Sequence, residues 1–471
     1  MFKVRNLSIK PRLISLFLLI GLIPLLFVGW WATNQASEAL MNKSYSQLES
    51  VRQIKKAAVE RYFQTIHDQI ITFSEDRMVV DAMRDFRLFF KSFKAENAFS
   101  EEQLAQMSSE LKTYYTKDFT EEYEALNDGR DPGASSYFSA LDPDSIALQY
   151  LFIKANQHPL GSKHLLDDPG DGSSYSRLHS EVHPVVRSYL EKFGYYDIFL
   201  ADPETGDIVY SVFKELDYST SLKDGPYSDT NFGEAFRRAV KASDKDSVIL
   251  VDYKKYTPSY EAPASFIASP IYDGDEMLGV ALFQMPIDRL NAIMSERAGL
   301  GKTGETYLVG QDKLMRSDSY LEPEHHNVVS SFKYPEKGSV DTAGTRSALS
   351  GVTGSEVIID YNGNPVLSAY TPVNVGDSVW ALMSEIDEAE VLEPINGLVF
   401  SVALTAMVLA LLIAAVAYFT SKRIATPLNQ GVRFAQAVAK GDLNADIDVE
   451  RCDEIGMLAN ALREMIGRLR E

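Results

Sequence analysis

Residues 13–32, LISLFLLIGLIPLLFVGWWA, run for twenty positions without a charged side chain. At a helical rise of about 1.5 Å per residue, such a stretch crosses the roughly 30 Å of hydrocarbon in a bilayer. A second uncharged run, residues 394–421, contains GLVFSVALTAMVLALLIAAVAYFT and is again of spanning length. Lys3, Arg5, Lys10 and Arg12 precede the first run, and Lys422 and Arg423 follow the second. Basic residues mark the cytoplasmic side, so both termini are expected there. The first run is longer than the roughly 7–15 apolar residues of a cleaved leader, and no A-x-A site follows Trp31, so it reads as an anchor. The expected order is a cytoplasmic N-terminus (1–12), a first span (13–32), an exterior (33–393), a second span (394–420) and a cytoplasmic segment (421–471).

The charge is unevenly divided among these compartments. The formal net charge is −20, and the region between the spans carries 34 basic and 58 acidic residues, a net −24. That balance argues against nucleic acid as a partner, since phosphate binding concentrates Lys and Arg. A negative exterior also stays off an anionic membrane. The only cysteine, Cys452, falls on the cytoplasmic side, which leaves the exterior without a disulfide and dependent on ordinary burial.

The exterior opens with residues 33–93, which contain neither Gly nor Pro. Leu48, Val51, Ile54, Ala58, Tyr62, Ile66, Ile70 and Phe73 recur there at helical steps, which predicts a long stalk helix (33–95). Residues 95–190 carry helical patches around 101–123 and 182–193, separated by the turn-rich HPLGSKHLLDDPGDGSS. His158, His164, His179 and His183 lie in this region. HSEVH is not HExxH and no carboxylate or cysteine completes a ligand set, so they read as a surface cluster rather than a metal site. DDPGDG departs from a calcium loop at Pro169 and at the missing twelfth-position Glu, and reads as a turn. No metal and no cofactor is expected.

After Gly194 the period changes. YYDIFLADPETGDIVYSVF reads as two strands about a turn, followed by the short helix NFGEAFRRAVKA and the strands SVILVDY, APASFIASPI and EMLGVALFQM. The same order returns once, as ETYLVG, KLMRSDS, the helical TAGTRSALSG, EVIIDY, PVLSAYT and VWALMSEID. In the cytoplasmic segment Leu428, Val432, Ala435 and Val438 form one stripe, with Pro427 expected in a first helical turn and Gly441 as the stop. Ile455, Leu458, Leu462, Met465 and Leu469 form a second stripe of the coiled-coil type. Two such helices leave an open seam, which predicts a homodimeric four-helix bundle.

GLGKTGETYLVG (299–310) and WALMSEID (380–387), bracketing the second module behind a long stalk, resemble a double Cache sensor domain. RIATPLNQGVRFAQAVAKGDL with DEIGMLANALREM is similar to a HAMP signalling domain in Pro427, Gly441, Asp442, Leu443, Asp453, Glu454, Ile455 and Gly456. Together they resemble the sensory half of a bacterial methyl-accepting chemotaxis protein. The resemblance implies an α+β fold, with two stacked PAS-like mixed-sheet modules (distal 96–298, proximal 299–390) on the stalk, two transmembrane helices and a parallel coiled-coil HAMP bundle. It implies an inner-membrane receptor with its sensor in the periplasm and a small-molecule ligand in the distal module. The implied partners are an adaptor and a histidine kinase reached through a cytoplasmic hairpin beyond residue 471. A sensor kinase, diguanylate cyclase or nucleotide cyclase could use the same input. No G-x-S-x-G, HExxH, P-loop or Cys/His pair argues for catalysis in the chain itself.

Carried onto the distal module, the resemblance makes Tyr196, Tyr210, Lys214, Tyr227, Asp252, Tyr253, Tyr260, Ser265, Ser269 and Gln284 candidate ligand contacts, with Lys214 and Asp252 offering opposite charges. Amino-acid-binding relatives hold the ligand ammonium on an aspartate of the last distal strand. Here Gln284 occupies that place, and no Trp occurs between Trp31 and Trp380. A neutral amide gives no charge-assisted contact, so simple α-amino acids are not the expected ligand.

Overall fold

The computed structural model describes residues 8–470; Lys3, Arg5 and Glu471 lie outside them. The chain divides into two compact units, residues 44–390 and residues 1–43 with 391–471.

In the first unit the stalk helix belongs to one continuous element, Ile9–Glu75. Its inward stripe is Leu48, Lys55, Val59, Ile66, Ile70 and Phe73, while Ile54 points outward at 65% exposure. The expected stripe was thus out of phase by one residue at its middle, because Lys55 takes the inward slot. Its Nζ donates to the carbonyls of Ile293 (2.6 Å) and Glu296 (2.7 Å), capping the end of the helix Ile287–Ser295. A cation is favoured at a helix C-terminus, where carbonyls lack partners. The uninterrupted stalk expected to residue 95 breaks at Asp76. This residue is extended (φ −61°, ψ 128°) and its carboxylate accepts from the Met78 amide at 2.8 Å, starting a new helix, Arg77–Asn97.

The distal sheet contains β1 (Asp197–Ala201), β2 (Ile208–Ser211), β3 (Ile249–Lys255), β4 (Pro263–Asp273) and β5 (Glu276–Gln284), in the antiparallel order β2-β1-β5-β4-β3. The proximal sheet contains β6 (Glu305–Val309), β7 (Gly354–Ile359), β8 (Pro365–Val375) and β9 (Ser378–Asp387), in the order β6-β9-β8-β7. KLMRSDS makes no full strand there, only a single bridge between Val309 and Met315. Each sheet has its own hydrophobic core, and Tyr62, Phe63 and Leu250 pack against both. The glycine-rich turn before β6 serves as an anion cradle: Glu390 accepts from the amides of Lys302 (2.8 Å) and Thr303 (2.7 Å), and a Cβ at Gly301 would lie 2.5 Å from its carboxylate.

In the other unit two helices, Ile9–Glu75 and Glu388–Ala439, are long and apolar enough to cross a membrane. They approach closely at Gly21 and Gly29, where a Cβ would stand 2.5 Å from Ile413 and 2.7 Å from Val402, as lipid-embedded helices do when small residues let backbones meet. The second helix runs without a break through Pro394 and Pro427. Pro427 is therefore interior, not in a first turn. Proline cannot donate to the carbonyl four residues back, Arg423, and Arg451 Nη1 donates to that oxygen instead at 2.8 Å. This replacement explains why the helix continues.

Candidate functional site in the distal module

Residues paired across β-strands share a face. Asp197 pairs with Gln284, Gln284 with Phe266, and Phe199 with both Leu282 and Ser211, so these side chains line one side of the distal sheet. The helix Asn231–Val240 covers part of it through Phe232, stacked on Phe266 with centroids 4.4 Å apart. Two irregular segments close the rest, residues 213–230 and 256–262. Lys214, Ser219, Tyr260 and Glu261 hold positive φ there, four of the seven non-glycine residues that do so among those described. Strain of this kind persists only where surrounding contacts enforce it.

Those contacts are polar. Asp197 is fully buried and accepts from the amides of Ile198 (2.6 Å), Val212 (2.9 Å) and Phe213 (3.1 Å), while Ser211 Oγ donates to it at 3.1 Å. Glu215, which opens on a cavity of about 70 Å³, accepts from the Tyr196 hydroxyl (2.9 Å) and from Ser259 Oγ (3.1 Å). Asp217 is fully buried and accepts from the Tyr256 hydroxyl at 2.6 Å. Its other oxygen has no partner; neither do the Tyr227 hydroxyl and Gln284 Oε1, although Gln284 Nε2 donates to Ser259 Oγ at 3.2 Å. Gln149 pins the segment that carries these acids, donating to the carbonyls of Leu216 (3.1 Å) and Tyr218 (2.7 Å).

Of the three carboxyl groups, Asp197 is the one whose charge acts on the Lys214 ammonium. Lys214 is buried, donates to the Ser211 carbonyl, and lies over the rings of Tyr210 (4.7 Å) and Tyr218 (5.0 Å). Burial pushes its pKa down to about 7, with Asp197 opposing the shift. Burial pushes Asp197 up to about 6 and Asp217 up to about 7. Glu215 is driven well above the usual carboxylate range by desolvation and then by the Asp217 and Asp197 charges. A second cavity of about 410 Å³ shares Tyr196 and Phe213 with the first and reaches Ser259 and Gln284.

Of the candidate contacts, Tyr196, Lys214, Tyr227, Tyr260 and Gln284 surround this cluster. Tyr210, Ser265 and Ser269 do not. The Tyr210 hydroxyl meets His183 Nδ1 at 2.8 Å, Ser265 Oγ donates to the Val251 carbonyl at 2.7 Å, and Ser269 pairs with Ala281 on the opposite face of the sheet. Asp252 and Tyr253 belong to the junction with the proximal module. Asp252 accepts two bonds from Arg316, each 2.9 Å, and one from Trp380 Nε1 at 3.1 Å, so it forms no pair with Lys214. Tyr253 joins the proximal core, 6.1 Å from the Trp380 ring. The sequence reading missed Asp197, Glu215, Asp217, Tyr256 and Ser259. The available signal was KELD (214–217), three charges and a leucine set among aromatic residues, of which the sequence reading took up Lys214 alone.

The histidines are corrected by burial. His179 and His183 are fully buried and stacked at 4.3 Å, and burial drives both pKa values down, that of His183 to about 2. They are neutral members of the core beneath Tyr210, not a surface cluster.

At the cytoplasmic end Gly441 takes φ +90°, and Asp442 and Leu443 continue the turn after the helix. Asp453 accepts from the amides of Ile455 and Gly456, both at 3.1 Å, and so caps the helix Glu454–Arg470. A side chain at Gly456 would collide with the Arg451 carbonyl. Phe434, Ile447, Val449, Ala459 and Ile466 form the small core of this region.

A mixed-sheet exterior between two membrane-crossing helices, followed by a capped helix pair, defines a transmembrane sensor. Comparison with known families gives it a place: the Cache domain family matches residues 32–395, most of the chain, and the HAMP domain family matches residues 419–471. The chain belongs to the Cache domain family, carries a HAMP domain, and is an inner-membrane receptor. A provisionally named sensory transducer protein of Acetivibrio thermocellus is 36% identical over 81 residues, 16% of this chain. The match spans only 14% of that relative's length. Among solved structures, the periplasmic sensory domain of the Campylobacter jejuni chemoreceptor Tlp1 is 15% identical with a TM-score of 0.33, covering 59% of this chain and 99% of its own. The ligand-binding domain of the Pseudomonas aeruginosa amino acid chemoreceptor PctC, in complex with GABA, is 15% identical with a TM-score of 0.30, over 59% and 99%.

Proposed function

We propose that this chain is the input half of a chemoreceptor: a small extracellular ligand binds the distal Cache module, and the change passes through the second span and the HAMP helices to a cytoplasmic chemotaxis signalling module. The observation that carries the reading is the distal polar cluster: Glu215 opens on one cavity and Gln284 on a second, while Asp217 and Tyr227 carry buried polar atoms without a partner among the described residues. Most buried polar atoms of a protein are paired, and a concave site with aromatic walls and a few polar groups is the usual form of a small-molecule pocket. The order Cache, span, HAMP in one chain supports transmission across the membrane, and the helix Glu388–Ala439 begins directly after β9 without a linker. Pro427, Gly441, Asp442, Leu443, Glu454, Ile455 and Gly456 act here as the signalling set, Pro427 inside the first HAMP helix and the others at the turn and helix start that follow it.

The receptor works as a homodimer. Leu458, Met465 and Leu469 are 40–55% exposed in the single chain, an apolar seam that a second copy would cover. An adaptor and a histidine kinase are the downstream partners. The test is a fusion of residues 1–471 to the cytoplasmic hairpin of a chemoreceptor, with kinase activity read as ligand is added. A graded change is expected. Ligand occupancy of the distal module that leaves the kinase untouched would overturn the reading.

A further inference from the structure

We infer that the ligand of the distal module is a small protonated amine that carries no carboxylate group. The inference rests on the sensor reading above and names the chemistry of the same site. Lys214 offsets one carboxylate, Asp197, and two remain. Among the described residues, one fully buried Asp217 oxygen, the Tyr227 hydroxyl and Gln284 Oε1 make no hydrogen bond, Tyr227 and Gln284 being 1% and 3% exposed. The Asp217 and Glu215 charges both act on Tyr227, which places the hydroxyl at the cluster. All three waiting groups can accept a hydrogen bond, and an ammonium group offers only donors. The 70 Å³ cavity in front of Glu215 has aromatic walls in Tyr114, Phe119, Tyr196, Phe213 and Tyr260, surfaces that attract a cation through their ring faces. Lys163 and Lys214 also line this cavity, but their ammonium groups are turned onto the carbonyls of Asn156 and Ser211. No arginine lines it, so a ligand carboxylate would meet Glu215 without a fork to hold it.

The charge arithmetic gives a signature. Burial raises both the Asp217 and the Glu215 carboxyl, Asp217 to about 7, so a cationic amine that binds below that pH is expected to displace a proton into solvent. The other titratable groups around the cluster are Asp197, Lys163, Lys214 and the phenols of Tyr114, Tyr115, Tyr196, Tyr227, Tyr256 and Tyr260. These phenols stay neutral throughout, since burial or the nearby acids raise them all.

The experiment is calorimetry on the full chain in lipid nanodiscs, with methylamine, ethanolamine, acetate, glycerol and L-alanine as probes at pH 6 and pH 8. An amine should bind, up to about tenfold tighter per pH unit for each proton released, with a heat that varies with the buffer's ionisation enthalpy. Glu215→Gln and Asp217→Asn should each weaken it tenfold or more, while the ligand-free Asp217→Asn protein melts no lower than wild type. Binding of acetate or glycerol with both amines silent would overturn the amine assignment and leave the sensor reading standing. Amine binding indifferent to both substitutions would overturn the site. Silence of all probes, and of a broad metabolite library, would overturn both readings.

Discussion

The carbonyl of Arg423 shows how one side chain decides whether an element continues. Pro427 leaves that oxygen without its helical donor, and Arg451, arriving from the connector between the two HAMP helices, supplies one at 2.8 Å while its Nε holds Asp453 at 2.9 Å. Substituting Arg451→Ala is expected to destabilise the HAMP pair by about 1 kcal/mol, the loss of one hydrogen bond to an acceptor that stays partly covered, and to bend the helix at Pro427. Hydrogen exchange at residues 424–431 in the full chain measures this. Asp252 makes the larger demand. Arg316 is 2% exposed and bridges Asp252 to Asp312, so Arg316→Ala leaves a carboxylate at the junction of the two modules with the Trp380 indole and the Tyr253 amide as donors but no compensating charge from Arg316. A loss of about 3 kcal/mol or more in urea unfolding is expected. Neither arginine was legible as important in the sequence, because the partner that decides its role, the Arg423 carbonyl for Arg451 and Asp252 for Arg316, lies 28 and 64 residues away and no local pattern announces it.

At the scale of elements, strand and helix order was legible where periodicity was strong and was blurred where a single cap decided. Nothing in the periodicity of residues 33–93 marks a break, yet Asp76 inserts one with a single side-chain acceptor. Asp76→Ala is expected to cost about 1 kcal/mol and to raise exchange at the start of Arg77–Asn97. The β6–β9 pair carries a different burden. Glu305 and Glu385 stand directly opposite each other, both buried. Tyr307 and Ser368 each donate to Glu385 at 2.7 Å; Glu305 accepts from Ser319, the Tyr320 and Leu321 amides, and the Tyr361 hydroxyl. Burial pushes Glu385 up to about 7, with Glu305 and Asp360 adding in the same direction. The folded form therefore keeps a proton that the unfolded chain gives up above its ordinary value of 4.5. Stability is fullest below that value and falls as pH rises to about 7, by about 3 kcal/mol for this group. Glu385→Gln should remove that fall from a melting series between pH 5 and pH 8, leaving the slope contributed by Asp197 and Asp217.

For the whole molecule, the two spans and the repeated order of strands were readable because lipid thickness and pleat period impose them on sequence directly. The site was only half readable: aromatic and amide members stood out, but Glu215 and Asp217 sit in an irregular segment whose path depends on Gln149, bonded to carbonyls 67 and 69 residues later. The topology has its own check. Ser243, exposed in the distal module, changed to Cys should react with a membrane-impermeant maleimide in intact cells, while the exposed native Cys452 reacts only after lysis. Finally, Trp380 is the single tryptophan between the second and last residues of the exterior, with its indole N–H on Asp252 and its ring 5.5 Å from Phe63 of the stalk. The receptor thus carries a native fluorophore at the seam of its two sheets, and once Trp30 and Trp31 of the first span are replaced by Phe its emission can follow whether an event in the upper sheet is felt by the lower one.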